Sequence, residues 1–371
     1  MSVLSDPLFL TDYTDARARF VRAAQGVGAE TWNVAHPRLG LRGEPLLMDF
    51  AWMGPRDASK VMVSLSGTHG VEGICGSACQ AAWLEQATGQ ATNLPSDCAI
   101  FWVHAVNPYG FSWLRRVDHE HIDVNRNAVD PTAPHPINPD YEKVHDLLLP
   151  TRWDSEQVSA IFEGLKSLMA RLGTRAATRA ITGGQYTHPN GLFFGGQHTS
   201  WSCEVLQREA EQHLQVARVV AVLDHHTGLG PLGHTEIICR HAVDSPAHSL
   251  AKRWWGTDMT TTDLGESESE VIDGNVRMAF MRWCPRALVV SAALEVGTQT
   301  PQQVLAALIG DHWLHQRGLP SSKQGDAIRG QVKDAFFVDT LQWRLQSVST
   351  SLALYAHTLR GLGAMSFPHS P

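Results

Sequence analysis

Val61-Met62-Val63-Ser64-Leu65 leads without a break into Ser66-Gly67-Thr68-His69-Gly70-Val71-Glu72-Gly73. The first five residues have the pattern of a buried strand, and glycines at 67, 70 and 73 allow the tight turn and close backbone approach expected where such a strand ends. The turn presents a histidine and a glutamate three residues apart, the only His-x-x-Glu in a chain that holds 19 histidines. Imidazole nitrogen and carboxylate oxygen are ordinary zinc ligands, and a catalytic zinc takes three protein ligands and leaves one position for water. Asp224-His225-His226-Thr227-Gly228, far downstream, offers the third ligand of a split site.

Working outward, further strand-like runs lie at Leu46 to Trp52, Lys60 to Leu65, Cys98 to Val106, Val216 to Leu223, Thr235 to Cys239 and Ala287 to Val296. Several are almost wholly apolar, which marks strands covered on both faces. Helical patterns alternate with them at Asp12 to Ala24, Val71 to Glu85, Glu156 to Leu172, Cys203 to Leu214, Pro246 to Trp255, Pro301 to Gln316 and Phe337 to Leu359. This alternation predicts an α/β protein, a three-layer α/β/α sandwich around a central mixed, mostly parallel sheet. We read residues 1–371 as one domain with inserted loops, about 127–200 being partly an insertion near the active site. Within it, the proline-rich stretch 130–139 is expected to be a loop bordering that site.

A hydrophobic content of 43% with 18% charged residues belongs to a folded globular chain. The net charge of −7 argues against nucleic acid and anionic membranes as partners, since both need a basic footprint. The first residues show no basic segment followed by an apolar stretch, so a cytoplasmic location is expected. The six cysteines are scattered through apolar segments, which reads as core; Cys75 and Cys79, four apart, lack the further ligands of a cysteine zinc site. His312 and His315 read as core residues of a helix, and His119 and His121 as exposed loop residues. The acidic stretch 266–270 is expected to be a solvated loop.

After the strand ending near Val106 come Asn107-Pro108-Tyr109-Gly110, Arg115-Arg116 and Asp123-Val124-Asn125-Arg126-Asn127. Arginines clustered with amides and carboxylates beyond a strand end suit an anion-binding edge. Glu295 closes the apolar run Val289 to Leu294, where partial desolvation would raise its basicity. His225 and His226 fall on opposite faces of a strand, so one of them reaches a metal and the other does not. If the strand ends a residue early, that ligand is His225.

Taken in order, His69-x-x-Glu72, the Asn-Pro-x-Gly turn, Arg116, Asp123-x-Asn125-Arg126, His226-Thr227-Gly228 and Glu295 resemble the zinc-carboxypeptidase superfamily. Within it the chain looks most like a bacterial carboxypeptidase-like subgroup of unassigned function. That subgroup carries stretches like Gly184-Gln185-Tyr186 with Gly191 to Gly196, and like His226 to Pro231. The superfamily also holds deacylases resembling succinylglutamate desuccinylase and aspartoacylase. The resemblance implies one zinc ion per chain, held by His69, Glu72 and His226, and Glu295 as general base. It further implies that Arg116 stabilises the oxyanion, that Asn125 and Arg126 grip a substrate carboxylate, and that Asp123 orients the first zinc histidine. His225 is then a core or supporting residue, and Asp224 shares the face of His226. The expected partner is a small-molecule or short-peptide substrate with a carboxylate, and the expected activity a carboxypeptidase-type amide hydrolysis or, alternatively, N-acyl amino-acid deacylation, with a non-catalytic binding module that kept the fold as the third reading. One departure stands out. The carboxypeptidases place a tyrosine over the substrate shortly before the catalytic glutamate, whereas residues 242–294 contain none, leaving Tyr186 or Tyr109 as stand-ins.

Overall fold

Residues 60–65 form an inner strand of a single sheet in a computed structural model that describes residues 8–88, 94–256, 259–267 and 269–366. Among these residues the strands are β1 (Glu30–Leu39), β2 (Pro45–Met53), β3 (Lys60–Leu65), β4 (Cys98–His104), β5 (Val219–Gly228), β6 (Thr235–Cys239), β7 (Met259–Thr261) and β8 (Leu288–Gly297). Their order is β1-β2-β4-β3-β5-β8-β6-β7. β4, β3, β5 and β8 run parallel, while β1 with β2, β2 with β4 and β6 with β8 pair antiparallel. The sheet is therefore mixed with a parallel centre, as the nearly continuous apolar runs predicted.

Strand periodicity divides the core into two layers. Val61, Val63, Val220, Val222 and Val289 face Leu206 of helix Trp201–His213 and Phe280 of helix Val276–Trp283. Met62, Ala221, Leu223, Val290 and Leu294 face the opposite layer, with Phe20 of helix Tyr13–Gly26, Trp254 of helix Pro246–Trp255 and Tyr355 of helix Leu341–Gly363. Burying such side chains from water contributes about 1.5–3 kcal/mol each, which makes this covered sheet the rigid base of the site.

Several boundaries differ from the sequence reading. β5 continues five residues past Leu223, so that both histidines lie inside a strand. β4 stops at His104, two residues short of the expected end. β1, β7 and the helices Thr174–Thr182, Val276–Trp283 and Lys323–Phe336 were not anticipated. Helix Pro301–Gln316 begins where Pro301 predicts, closed by a capping box between Thr300 and Gln303. All six cysteine thiols are buried and free. No described helix is long and apolar enough to cross a membrane.

Candidate metal centre

The turn after β3 is fixed by its backbone. Gly67 adopts φ 66°, and its carbonyl accepts from the Asn107 N–H at 2.9 Å. Asn107 holds its own turn by accepting from the Gly110 N–H at 2.8 Å, and its amide donates to the Arg116 carbonyl at 3.3 Å. The Gly70 and Val71 N–H groups donate to the carbonyls of Arg116 and Arg115 at 3.2 and 2.9 Å. A Cβ on Gly70 would stand 2.0 Å from the Gly110 carbonyl carbon, so only glycine allows this approach. The His-x-x-Glu turn and the Asn-Pro-x-Gly motif thus form one unit, which carries His69, Glu72 and Arg116 together.

His69, Glu72 and His226 converge, with their ligand atoms within 4.8 Å of one another and all three residues buried. The Glu72 carboxylate lies 2.8 Å from His69 Nδ1 and 2.9 Å from His226 Nδ1. The two Nδ1 atoms are 3.2 Å apart. Two nitrogens sharing one tetrahedral zinc at ~2.0–2.1 Å stand about 3.3 Å apart, so the spacing fits a common ion. On its far side each ring meets a carboxylate: His69 Nε2 lies 3.3 Å from Asp123 Oδ1, and His226 Nε2 lies 2.9 Å from Asp224 Oδ2. A proton held on each Nε2 leaves both Nδ1 lone pairs pointing at the carboxylate of Glu72, an arrangement of donors that calls for a cation. His69 Nε2 and Asp224 Oδ2 otherwise have no hydrogen-bond partner.

Charge tells the same story. Glu72, Asp123, Asp224 and Glu295 are all buried, with Glu72 only 1% exposed. Burial opposes ionisation of Asp123, but the guanidinium groups of Arg116 and Arg126 outweigh it and hold the carboxyl well below the usual range. For Glu72, His69 and His226 likewise overcome burial. Asp224 and Glu72 together outweigh the desolvation of His226 and hold it well above the ordinary histidine value, so that a proton competes for the Nδ1 position that a cation would take. Glu295 behaves oppositely: burial, reinforced by the charge of Glu72, pushes it up.

A family model described as "protein of unknown function (DUF2817)" matches residues 9–350. The chain belongs to this family. No curated protein matches the sequence. Among solved structures the chain is similar to carboxypeptidase A from Helicoverpa armigera, at 11% identity over 87% of this chain and 73% of that one, with a TM-score of 0.43. It is similar to bovine thrombin-activatable fibrinolysis inhibitor at 10% identity over 87% and 95%, TM-score 0.46. It is also similar to murein-tripeptide amidase from Escherichia coli O157 at 12% identity over 79% and 93%, TM-score 0.35.

The remaining predicted residues of this DUF2817 protein meet at one cavity of about 1040 Å³, lined by His69, Glu72, Arg116, Asn125, Arg126, His226 and Glu295. Glu295 is directly opposite His226 in the β5–β8 register, on the same face, and its Oε1 accepts from the Leu229 N–H at 3.0 Å. Arg116 donates from Nε to Asp123 at 3.0 Å and from Nη1 to Glu72 at 3.4 Å. Arg126 is more occupied than the sequence implied, because its Nε and Nη2 donate to the Thr182 carbonyl at 3.2 and 2.6 Å. Asn125 Oδ1 accepts from the Val276 N–H at 3.0 Å, which leaves its amide nitrogen as the available donor. Phe193 lies under both arginines, with its ring centre 5.4 Å from the Arg116 guanidinium and 5.7 Å from that of Arg126.

His225 faces the other layer, 2.9 Å from the Leu65 carbonyl and 2.9 Å from Ser351 Oγ. It is a core residue, and it is His226 that joins His69 and Glu72 in the group that could hold a metal ion. Neither candidate tyrosine reaches the cavity: the Tyr186 hydroxyl donates to the Arg126 carbonyl at 2.6 Å, and Tyr109 stacks on Trp113. The stretch 130–139 does not line the cavity either; Asn138 there ties to Ala180 and Gly184, and the cavity wall comes from Phe162, Leu165 and Met169 of helix Ser155–Leu172. His119 and His121 are half-buried, not exposed. Ser267, Ser269 and Glu270 of the acidic stretch border the cavity, whereas Glu268 lies outside the described residues. His312 is buried against the Asn190 carbonyl at 2.7 Å. The roles of Asp224 and Phe193 had weak signals in the sequence, since period-2 strand geometry placed Asp224 beside His226 but nothing local placed Phe193 under the arginines.

Proposed function

We propose that this chain is a zinc-dependent amide hydrolase of carboxypeptidase type, cutting a peptide or peptide-like bond next to a free carboxylate. The observation that carries this reading is the convergence of His69, Glu72 and His226 beside a buried Glu295 that pairs across the strand with His226. A zinc ion held by the three ligands would polarise the scissile carbonyl and acidify the attacking water.

The chain's own groups divide the remaining work. Asp123 and Asp224 hold the Nε2 protons of the two histidines, which keeps the Nδ1 atoms available as ligands. Glu295 is anchored at Oε1 by Leu229, so Oε2 takes the proton from water and returns it to the leaving nitrogen. Burial raises the proton affinity of that carboxylate, which suits it to the task. Arg116, aimed by Asp123 and Glu72, supplies positive charge where the carbonyl oxygen becomes anionic. The Asn125 amide and the Arg126 charge attract the substrate carboxylate. Leu305, Leu308 and the helix Ser155–Leu172 wall the cavity with apolar surface, which limits water around the reacting atoms.

The same apolar wall favours a second reading, N-acyl amino-acid deacylation, in which Phe162, Leu165 and Met169 receive the acyl group. The test is metal content of the purified protein and of His226→Ala, with hydrolysis of a panel of dipeptides and N-acyl amino acids. One zinc per chain, lost in the variant and accompanied by chelator-sensitive cleavage, is expected. Protein that neither contains nor takes up zinc would overturn the reading, and the preferred half of the panel separates peptidase from deacylase.

A further inference from the structure

The cavity contains a second pair of arginines that the proposed chemistry does not use. Arg240 follows β6, and Arg277 sits in the first turn of helix Val276–Trp283; both line the cavity with Ile238, Ala293, Ile272 and Asn275. Arg277 is 2% exposed and held rigidly, with Nη1 donating to Asn275 Oδ1 and Nη2 to the Ile238 carbonyl, each at 3.2 Å. Its Nε has no partner. Arg240 donates from Nη1 to the Ile272 carbonyl. Among the described residues neither guanidinium has a carboxylate within ion-pair distance; Asp224 and Glu295 act on Arg277, and Asp263 and Asp273 on Arg240, only from further away. Two buried or half-buried guanidinium groups that face a cavity with no carboxylate in ion-pair contact among the described residues are costly to maintain unless an anion arrives.

Their position relative to the reacting centre sets the length of the ligand. Ile238 is opposite Ala293 in the β6–β8 register, and Ala293 precedes Glu295 by two residues on the same strand face. Arg277, bound to the Ile238 carbonyl, therefore stands near a point about one strand repeat, ~7 Å, from Glu295, and Arg240 departs from the chain two residues further on. Alanine at 293 leaves room above the strand, and an aspartate or glutamate side chain is about long enough to cover that distance.

We propose that Arg240 and Arg277 form a second anion subsite that selects substrates bearing a carboxylate side chain beside the scissile amide, in addition to the carboxylate held near Arg126. This rests on the amide-hydrolase reading above. A charge-assisted, forked contact of this kind is worth on the order of 10- to 100-fold in discrimination.

The experiment pairs hydrolysis with binding. Dipeptides ending in Glu and Gln, and in Asp and Asn, are compared as kcat/KM ratios for the wild type, Arg240→Gln and Arg277→Lys. In parallel, glutarate and its monoamide are titrated calorimetrically into the same zinc-treated proteins. The expected result is a 10- to 100-fold preference for the acidic member and for glutarate, falling toward unity in both variants. Arg240 is half-buried, so its variant tests the subsite even if Arg277→Lys folds poorly. Glutarate preference without any hydrolysis would support the subsite while removing the hydrolase reading. Equal hydrolysis of Glu and Gln substrates with equal binding of the two probes would overturn the subsite and leave the hydrolase reading standing. Preference that survives both substitutions would likewise overturn it.

Discussion

Glu295→Gln separates chemistry from architecture at this site. Glutamine has the shape of glutamate, and its carbonyl oxygen keeps the bond that Oε1 accepts from the Leu229 N–H at 3.0 Å. It leaves no cavity, and it is cheaper to bury than a carboxylate that burial and Glu72 already push toward the neutral form. Glu295 is outside the ligand group, so zinc should be retained. What the substitution removes is the proton acceptor. A positioned general base contributes roughly 10²–10⁴-fold, or about 2.7–5.5 kcal/mol in the barrier.

A purely structural role for Glu295 predicts far less. Weakening one hydrogen bond costs about 0.5–1.5 kcal/mol, which is roughly tenfold in rate at most. The two cases therefore do not overlap. The assay is kcat/KM on the best substrate of the panel, with zinc content and the thermal midpoint measured on the same preparation. A loss of at least a hundredfold with zinc and midpoint preserved is expected. Turnover within tenfold of wild type, with zinc present, would refute Glu295 as the base and shift the role to another group in the cavity.

Asp224→Asn should weaken zinc affinity by about 10- to 100-fold, measured by competition with a chromogenic chelator, because the Nε2 of His226 loses its charged acceptor; unchanged affinity would remove that role. His225→Ala should lower folding stability by about 1–3 kcal/mol in denaturant titrations while leaving zinc bound, since it breaks core contacts to Leu65, Ser351 and Tyr355 and none to the ligand group. Asp118, pushed by burial from 3.8 to about 7, gives stability that is fully present below pH 4 and is lost as pH rises to 7, up to roughly 4 kcal/mol. Asp118→Asn should thus match wild type in thermal midpoint near pH 4 and exceed it increasingly toward pH 8; parallel curves would contradict this.

The parts of the fold that were legible in the sequence are those where burial is uniform. β3, β6 and β8 and the helices at 155–172, 246–255 and 301–316 came out within a residue or so, because apolar period and caps agree there. β1 was not legible: it is a largely exposed edge strand, with a mixed sequence and a proline at 37. β7 is three residues long and carries too little pattern. Helix Lys323–Phe336 holds Gly325 and Gly330 and has a polar outer face, yet it delivers Phe336 to the cavity.

The end of β5 shows why the site itself was only partly readable. Hydropathy stops the strand at Leu223, because Asp224, His225 and His226 look like a polar turn, but the strand runs on to Gly228 with every residue buried. Each polar side chain there is buried for a different reason. His225 is satisfied by the helical layer, Asp224 by Thr68 and the ring of His226, and His226 by Glu72 and His69. Apart from the contact between Asp224 and His226 themselves, their partners are 126 to 160 residues away, so no local window contains the compensation that keeps the strand intact. Once the strand is known to continue, alternation assigns the rest: Asp224 and His226 share the face of Ala293 and Glu295, and His225 turns to Tyr355. A one-residue slip of β5 against β8 would exchange the two histidines and separate Glu295 from the ligand group. The pairing register of β5 with β8 is therefore as much a determinant of the proposed chemistry as the identity of any ligand.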